Sequence, residues 1–241
     1  MNYKRILLKL SGEALMGNKQ YGIDPKQLEK YTSEIKNLYQ KGVQIAIVIG
    51  GGNIFRGLQG VTEGFDRMQG DYIGMMATVI NSMAIQSSLE NTGITTKVLS
   101  GIEINPLCEK MSGKRAIDYL NAGNIVIIAA GTGNPFFTTD SAAALRAVEI
   151  QADVLLKGTR VDGVYSADPE IDSTTVKYDT LSFDEAYKKN LRVMDLTAFT
   201  LCKENNIPII VFNINNKGNL LKVVEGEKIG TIIQCDNAIM R

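Results

Sequence analysis

The 241-residue sequence has no histidine and no tryptophan, only three cysteines and five prolines, and no excess of either charge: 26 Lys and Arg stand against 26 Asp and Glu. Without histidine there is no Ser-His-Asp or Cys-His catalysis, no His-ligated zinc and no imidazole acid–base step. Zero net charge argues against a whole-protein electrostatic footprint for nucleic acid or an anionic membrane, and leaves a local basic pocket open. Cys108, Cys202 and Cys235 are far apart and odd in number. They form no CxxC site and no disulfide framework, and suit a reducing cytoplasm. The apolar run Ile6 to Leu8 is too short for a signal-peptide core. No apolar stretch approaches the ~18 residues of a membrane span.

What is present alternates. Ile6 to Leu10 reads as a short buried strand. Asp24-Pro25 opens a helix, with Asp as cap and Pro at the first helical position, and Gly42 stops it. Val43 to Ile49 is a continuous aliphatic run, the mark of a strand covered on both faces. Asp71 to about Glu90 reads as a helix with Ile73, Met76, Ile80 and Met83 on one stripe. Met75, Met76 and Met83 read as core or interface filler. Further strands are expected over 96–99, 125–129, 154–156 and 209–212, with a last edge strand over 230–234. Helices from Ser112, Ser141, Ser182 and Leu196 fall among them, Ser182 and Glu185 forming a capping box. This order predicts an α/β fold: a three-layer α/β/α sandwich with a central, mostly parallel sheet. A polar stretch from Ala167 to Thr175 hints at two lobes sharing one sheet.

In open α/β sheets ligands gather at the carboxyl ends of strands. Four such ends carry unusual residues. Lys9-Leu10-Ser11-Gly12-Glu13 sets an ammonium beside backbone N–H groups. Its plain alternative is a strand-end lysine reaching solvent. Gly50-Gly51-Gly52-Asn53-Ile54-Phe55-Arg56 lets another molecule approach the backbone, and adds a guanidinium suited to phosphate. Gly131 to Asp140 runs into a strong helix former, so Thr139 and Asp140 cap a helix whose N-terminus favours anions. Lys157 to Pro169 is a long loop in which Tyr165 either flanks a planar base or plugs the loop from beneath. There is no G-x-x-x-x-G-K-[ST], and Phe136 and Phe55 stand where a dinucleotide fingerprint needs its third glycine. Cys108 and Cys202 read as small buried apolar groups.

Together these four segments, with Val193-Met194-Asp195-Leu196-Thr197-Ala198, resemble the bacterial uridylate (UMP) kinases of the amino-acid kinase superfamily, in order from about Lys4 to about Gln234. The resemblance implies the amino-acid kinase fold and transfer of the ATP γ-phosphoryl group to UMP, giving UDP and ADP, in de novo pyrimidine nucleotide (CTP) biosynthesis. It implies Mg²⁺ held mainly through the ATP phosphates. Lys9, Leu10, Ser11 and Gly12 would line those phosphates with Gly52 and Arg56 nearby, while Thr159, Tyr165 and Asp168 would bind the adenosine end. Gly51, Asp71 and the run Thr132, Gly133, Asn134, Pro135, Phe136, Phe137, Thr138 and Thr139 would hold UMP. Lys9, Asp140 and Arg56 would be catalytic, Asp140 orienting Lys9. Residues 1–150 would serve mainly UMP and oligomerisation, and 151–241 mainly ATP. The family further implies a cytoplasmic homo-oligomer, typically a hexamer, with GTP as activator and UTP as inhibitor. Gly17, Asn18, Lys19, Gln20, Tyr21 and Gly22 align with the segment tied to GTP. The alternatives are a sibling carboxylate or carbamate kinase and a non-catalytic nucleotide-sensing regulator. An NAD-dependent oxidoreductase is disfavoured by the missing glycine.

Overall fold

The computed structural model describes residues 1–55, 64, 66–167, 174–191 and 193–236. Its strands are β1 (Arg5–Leu10), β2 (Gln44–Ile49), β3 (Thr96–Ser100), β4 (Glu109–Lys110), β5 (Ile125–Ala129), β6 (Val154–Thr159), β7 (Val164–Tyr165), β8 (Lys177–Tyr178), β9 (Thr180–Ser182), β10 (Ile209–Asn213) and β11 (Thr231–Gln234). Its helices are α1 (Pro25–Tyr39), α2 (Arg67–Glu90), α3 (Gly113–Asn121), α4 (Thr139–Glu149), α5 (Phe183–Lys188), α6 (Leu196–Glu204) and α7 (Asn219–Glu225). One sheet runs β4-β3-β5-β2-β1-β6-β10-β11-β9 through both halves of the chain. Its neighbours pair in parallel except β10 with β11. β7 and β8 form a separate small hairpin.

Strand periodicity sorts the aliphatic residues into two cores. Ile6, Leu8 and Leu10, with Ile45 and Ile47, face α1, α2 and α7. Leu7, Ala46, Val48, Val126 and Ile128 face α3 to α6. The result is a three-layer α/β/α sandwich. Each buried Leu or Ile contributes roughly 1.5–3 kcal/mol relative to exposure, which is what holds the central strands. Lys9 has the parity of Leu7, and Lys157 that of Leu155, so both lysines emerge on the α4 side. α4 lies close to the sheet because Ala142, Ala143, Ala144 and Ala147 are all fully buried small residues. β1 has β2 on one side and β6 on the other, which makes its carboxyl end the point where the winding reverses.

Four expectations change. The helix expected from Asp71 begins four residues earlier, capped by Asp66, whose side chain accepts from Met68 and Gln69. Its stripe does not point inward: Met76, Ile80 and Met83 are exposed, at 41%, 50% and 38%, while Met75, Val79, Ile85 and Leu89 are buried. With apolar residues on more than one face, spacing alone could not choose the buried one. The edge strand expected over 230–234 spans Thr231–Gln234 and is not at an edge, because β9 pairs with it in parallel. The helix expected from Ser141 begins at Thr139, and the Ser182–Glu185 capping box is present.

Candidate active site

β1 and β6 run in parallel with Lys9 opposite Lys157. Two ammonium groups on one face at that spacing repel each other. Asp140, in the first turn of α4, lies between them. Its Oδ1 is 2.8 Å from Lys9 Nζ and its Oδ2 is 2.7 Å from Lys157 Nζ. The Lys9 contact is an ion pair at an angle poor for a hydrogen bond, whereas Lys157 donates to Oδ2 and also to the Val193 carbonyl at 2.6 Å. Burial pushes the Asp140 carboxyl up, but the two ammonium groups outweigh it and hold it below the ordinary carboxylate value. Burial lowers Lys157, the neighbouring Lys9 adds to that, and Asp140 opposes it without cancelling it. The cluster therefore carries a net positive charge in a poorly hydrated place, the condition under which a charge acts most strongly on an anion.

Two clefts meet here, sharing Glu13 as a wall. The larger, about 510 Å³, is bounded by Gly51, Gly52, Arg67, Asp71, Gly74 and Thr78 on one side and by Gly131, Thr132, Asn134, Phe137, Thr138 and Thr139 on the other. The smaller, about 190 Å³, is formed by Lys9, Ser11, Lys157, Gly158, Thr159, Arg160, Ile214 and Asn215. The glycine loop is fixed by a buried amide pair. Asn81 donates to the Gly50 carbonyl at 2.8 Å and exchanges hydrogen bonds with Asn53. Gly12 packs so tightly on this loop that a β-carbon would collide with the Gly50 carbonyl and lie 2.6 Å from Asn53 Oδ1.

Across the larger cleft, Asp71 accepts from Arg67 Nε at 3.0 Å and from the Phe136 backbone N–H at 2.8 Å, tying α2 to the loop before α4. The Arg67 guanidinium also lies over the Phe136 ring. Thr138 caps α4 by accepting from Asp140 and Ser141. Asp195 in turn accepts from the hydroxyls of Thr138 and Ser141 and caps α6 through Ala198. Asp195 thus binds the start of α4 to the start of α6.

The expected residues distribute unevenly. Lys9, Ser11 and Thr159 line the smaller cleft. Leu10 turns its side chain into the core and offers only backbone, its carbonyl accepting from Gly50. Gly52, expected beside Lys9 at the ATP phosphates, lies with Gly51 in the wall of the larger cleft. Tyr165 is not in the wall of the smaller cleft; its hydroxyl donates to Asp162 at 2.5 Å. Asp71, Thr132, Asn134, Phe137, Thr138 and Thr139 line the larger cleft, while Gly133, Pro135 and Phe136 do not. Gly17 to Gly22 form a surface loop, with Tyr21 exposed and Gly22 paired to Asn53 in both directions. Arg56 and Asp168 lie outside the described residues. Lys157, Arg67 and Thr78 are additions. Lys157 had a signal in the repeated Leu-Leu-Lys of β1 and β6, and Arg67 in its four-residue spacing from Asp71. Cys202 is buried, and burial followed by the Asp140 charge pushes its thiol up to about 12, which removes it as a nucleophile.

Comparison with known proteins covers nearly the whole chain. The model of the amino acid kinase family matches residues 4–213. A uridylate kinase of Parabacteroides distasonis is 59% identical over 96% of this chain and 98% of its own. One from Porphyromonas gingivalis is 56% identical over 98% and 99%. Among solved structures, a UMP kinase from Bacillus anthracis superimposes with a TM-score of 0.95 at 37% identity, covering 98% of each chain. The UMP kinase from Ureaplasma parvum gives 0.91 at 38% identity, over 97% of this chain and 100% of its own.

Proposed function

The chain belongs to the amino acid kinase family, among its uridylate kinases, and from that premise we propose that it transfers the γ-phosphoryl group of ATP to UMP at the Lys9–Asp140–Lys157 cluster. One observation carries the assignment of the site. The smaller cleft is lined by both lysines that Asp140 bridges, and the larger, which shares Glu13 with it, is lined by Thr138 and Thr139, next to Asp140 in the chain. The larger has the volume of a small-molecule site and would take UMP. The smaller, at the ends of β1 and β6, would take the ATP phosphates, its adenosine end running toward Thr159. In this reading residues 1–150 serve mainly the acceptor and 151–241 mainly the donor.

The chemistry needs little beyond placement. A phosphate monoester oxygen is already ionised at neutral pH, so attack on the γ-phosphorus requires no general base, and the missing histidine costs nothing. Two anions must instead be brought together and held in line. Lys9 and Lys157 would neutralise charge on the transferring group. Asp140 would keep both ammonium groups at fixed positions. The N-terminus of α4 and the amides of the glycine loop would add partial positive charge. No three carboxylate or thiol side chains converge among the described residues. Both oxygens of Asp140 face lysines. Mg²⁺ would therefore be carried on the nucleotide phosphates, where it supplies further charge neutralisation.

The same reading includes self-association. Tyr72, Met76, Ile80 and Met83 place exposed apolar side chains along one face of α2, a feature suited to a second copy of the chain. The family expectation of a hexamer is consistent with it. GTP activation would fall on loop 17–22, whose pairing to Asn53 would transmit a binding event into the glycine loop. UTP inhibition would follow from occupation of the UMP cleft. No described helix is long and apolar enough to cross a membrane, and all three cysteines are free, in keeping with a cytoplasmic enzyme. The reading is tested by a coupled assay with Mg-ATP and a panel of nucleoside monophosphates and carboxylate acceptors. Strong preference for UMP is expected. Equal use of CMP, or turnover with a carboxylate alone, refutes it.

A further inference from the structure

Arg146 is buried in α4, at 6% exposure, and takes no part in the chemistry derived above. One arm of its guanidinium, Nη1, meets Glu149 Oε2 at 2.6 Å. The other, Nη2, donates to the carbonyl of Gly131 at 2.9 Å, while Nε is buried with no partner. A buried guanidinium with an unpaired N–H costs free energy that a methionine or leucine of similar size would not. What an apolar side chain could not do is hold a carbonyl.

Gly131 is where that hold matters. Ala130 and Gly131 both have φ of +56°, so the chain turns sharply as it leaves β5 and enters the loop lining the acceptor cleft. Two further bonds fix the turn: the Ala130 N–H donates to Thr78 Oγ1 at 2.7 Å, and the Gly133 N–H to the Ala130 carbonyl at 2.9 Å. Gly101 crowds the turn from behind, since a β-carbon there would lie 3.0 Å from the Gly131 oxygen and 2.8 Å from the Gly133 nitrogen. Arg146 supplies the remaining fixed point, and it does so from the helix that carries Asp140.

We infer that Arg146 is a positioning residue for the acceptor: by anchoring the Gly131 carbonyl to α4, it holds the Thr132–Thr139 loop in register with Asp140, so that UMP is placed in line with the transferring phosphoryl group. This inference rests on the assignment of the larger cleft to UMP. The planar fork is essential to it, because a single ammonium cannot serve Glu149 and Gly131 at once with the same geometry.

Steady-state kinetics on Arg146→Met, Arg146→Lys and Glu149→Gln test it, with thermal melts as the folding control. Arg146→Met is expected to raise KM for UMP about tenfold or more while KM for ATP stays within about twofold, the split expected when one substrate's loop loses a charged hydrogen bond. Arg146→Lys should recover part of that loss. Glu149→Gln removes the ion pair but leaves the bond to Gly131, and should keep KM for UMP within about twofold of the parent. If Arg146→Met does not fold, the Lys and Gln variants decide the matter through the same split. An unchanged KM for UMP in both Arg146 variants, or KM for UMP and ATP rising together, overturns the inference. A parent enzyme that uses no nucleoside monophosphate overturns the acceptor assignment instead, and the two failures cannot be confused.

Discussion

Lys9 and Lys157 are register partners on adjacent parallel strands, and both ammonium groups lie within 3 Å of the one carboxylate of Asp140. Burial and the neighbouring Lys9 lower Lys157, and Asp140 only partly restores it. As pH rises through this lowered value, Lys157 loses its proton and the cluster loses positive charge where the proposed reaction needs it. The alkaline fall of kcat should therefore lie below the ordinary lysine value of about 10.4. In Asp140→Asn the opposing charge is gone, so Lys157 should titrate lower still. The pH–kcat profile measures the first, and ¹³C NMR of the lysine ε-carbons the second. A limb at or above the ordinary value, or a Lys157 titration that the substitution leaves in place, contradicts this account.

Asp140 has a second consequence, in stability. Its folded pKa is depressed, so its contribution is fully present above the unfolded value of 3.8 and is lost as pH falls through the folded value. At neutral pH, Asp140→Asn leaves two largely buried ammonium groups without their shared counter-charge. Breaking a buried pair in this way costs about 3–5 kcal/mol. Urea unfolding at pH 7 should show that loss. The gap between parent and variant should narrow below pH 3.8, where the parent carboxylate is itself being protonated. A gap that stays constant down through the acid range would mean that the ion pairs do not stabilise the fold.

Lys9→Met should behave in the opposite way. Asp140 keeps Lys157 as its partner, and Lys157 is relieved of a like charge, so folding stability should fall by much less than in Asp140→Asn. Catalysis should not survive so well. Removing a preorganised charge from a transition state typically costs about 10²–10³ in kcat. Near-normal turnover in this variant would remove Lys9 from the mechanism.

Two glycines separate space from conformation. A methyl at Gly12 meets the Gly50 carbonyl and the Asn53 side chain, both held in the buried amide network, so neither can give way. Gly12→Ala should cost about 1–3 kcal/mol and displace the glycine loop. Gly74 lies inside α2, and a methyl added there would have no atom within 4 Å, yet the residue borders the larger cleft. Gly74→Ala should stabilise the helix by about 0.5–1 kcal/mol and raise KM for UMP, because the methyl enters the cleft. A melting temperature and a KM that both rise would support the cleft assignment; a Gly74→Ala enzyme with unaltered KM would weaken it.

Much of this site can be read from the chain because it sits at strand ends. Aliphatic runs locate β1, β2, β5 and β6, and the polar residues after each run fall at the carboxyl edge that the winding makes a crevice. The place of Lys9 at the end of β1 is legible for that reason, and that of Asp140 from the helix start at α4, but on local pattern alone they read as a solvent-reaching lysine and a helix cap; their pairing is implied only by the family resemblance. Lys157 is harder, since its role depends on β6 lying beside β1, a pairing between residues far apart in sequence. Strand parity puts both lysines on one face only once that pairing is known. The glycine loop is legible as a loop, but not which cleft it borders. Gly52 lines the larger cleft, in a loop whose Gly50 carbonyl is held by Asn81 from a helix that follows it. At the exposed face of α2 the pattern misleads. An apolar stripe at helical spacing predicts burial, and nothing local says whether the burying surface belongs to the same chain.

That face gives the last test. Tyr72, Met76, Ile80 and Met83 recur at steps of four, four and three residues, so they share one side of α2, and each is 38% exposed or more. Soluble monomers rarely keep a contiguous apolar strip of this kind in water. The opposite side of the helix already serves the fold, through Ile85 and Leu89, and its first turns border the larger cleft. A second copy of the chain covering the strip would therefore bury it without disturbing the core, and would brace the helix that carries Asp71 and Asn81. Ile80→Lys puts a charge at the most exposed of the four positions. Sedimentation velocity should find the parent as an oligomer at assay concentration and Ile80→Lys as a smaller species, with an unchanged far-ultraviolet circular dichroism spectrum. The smaller species should also bind UMP more weakly, because α2 loses its brace. A monomeric parent would refute the interface, and a variant that dissociates with undiminished UMP binding would separate assembly from the site.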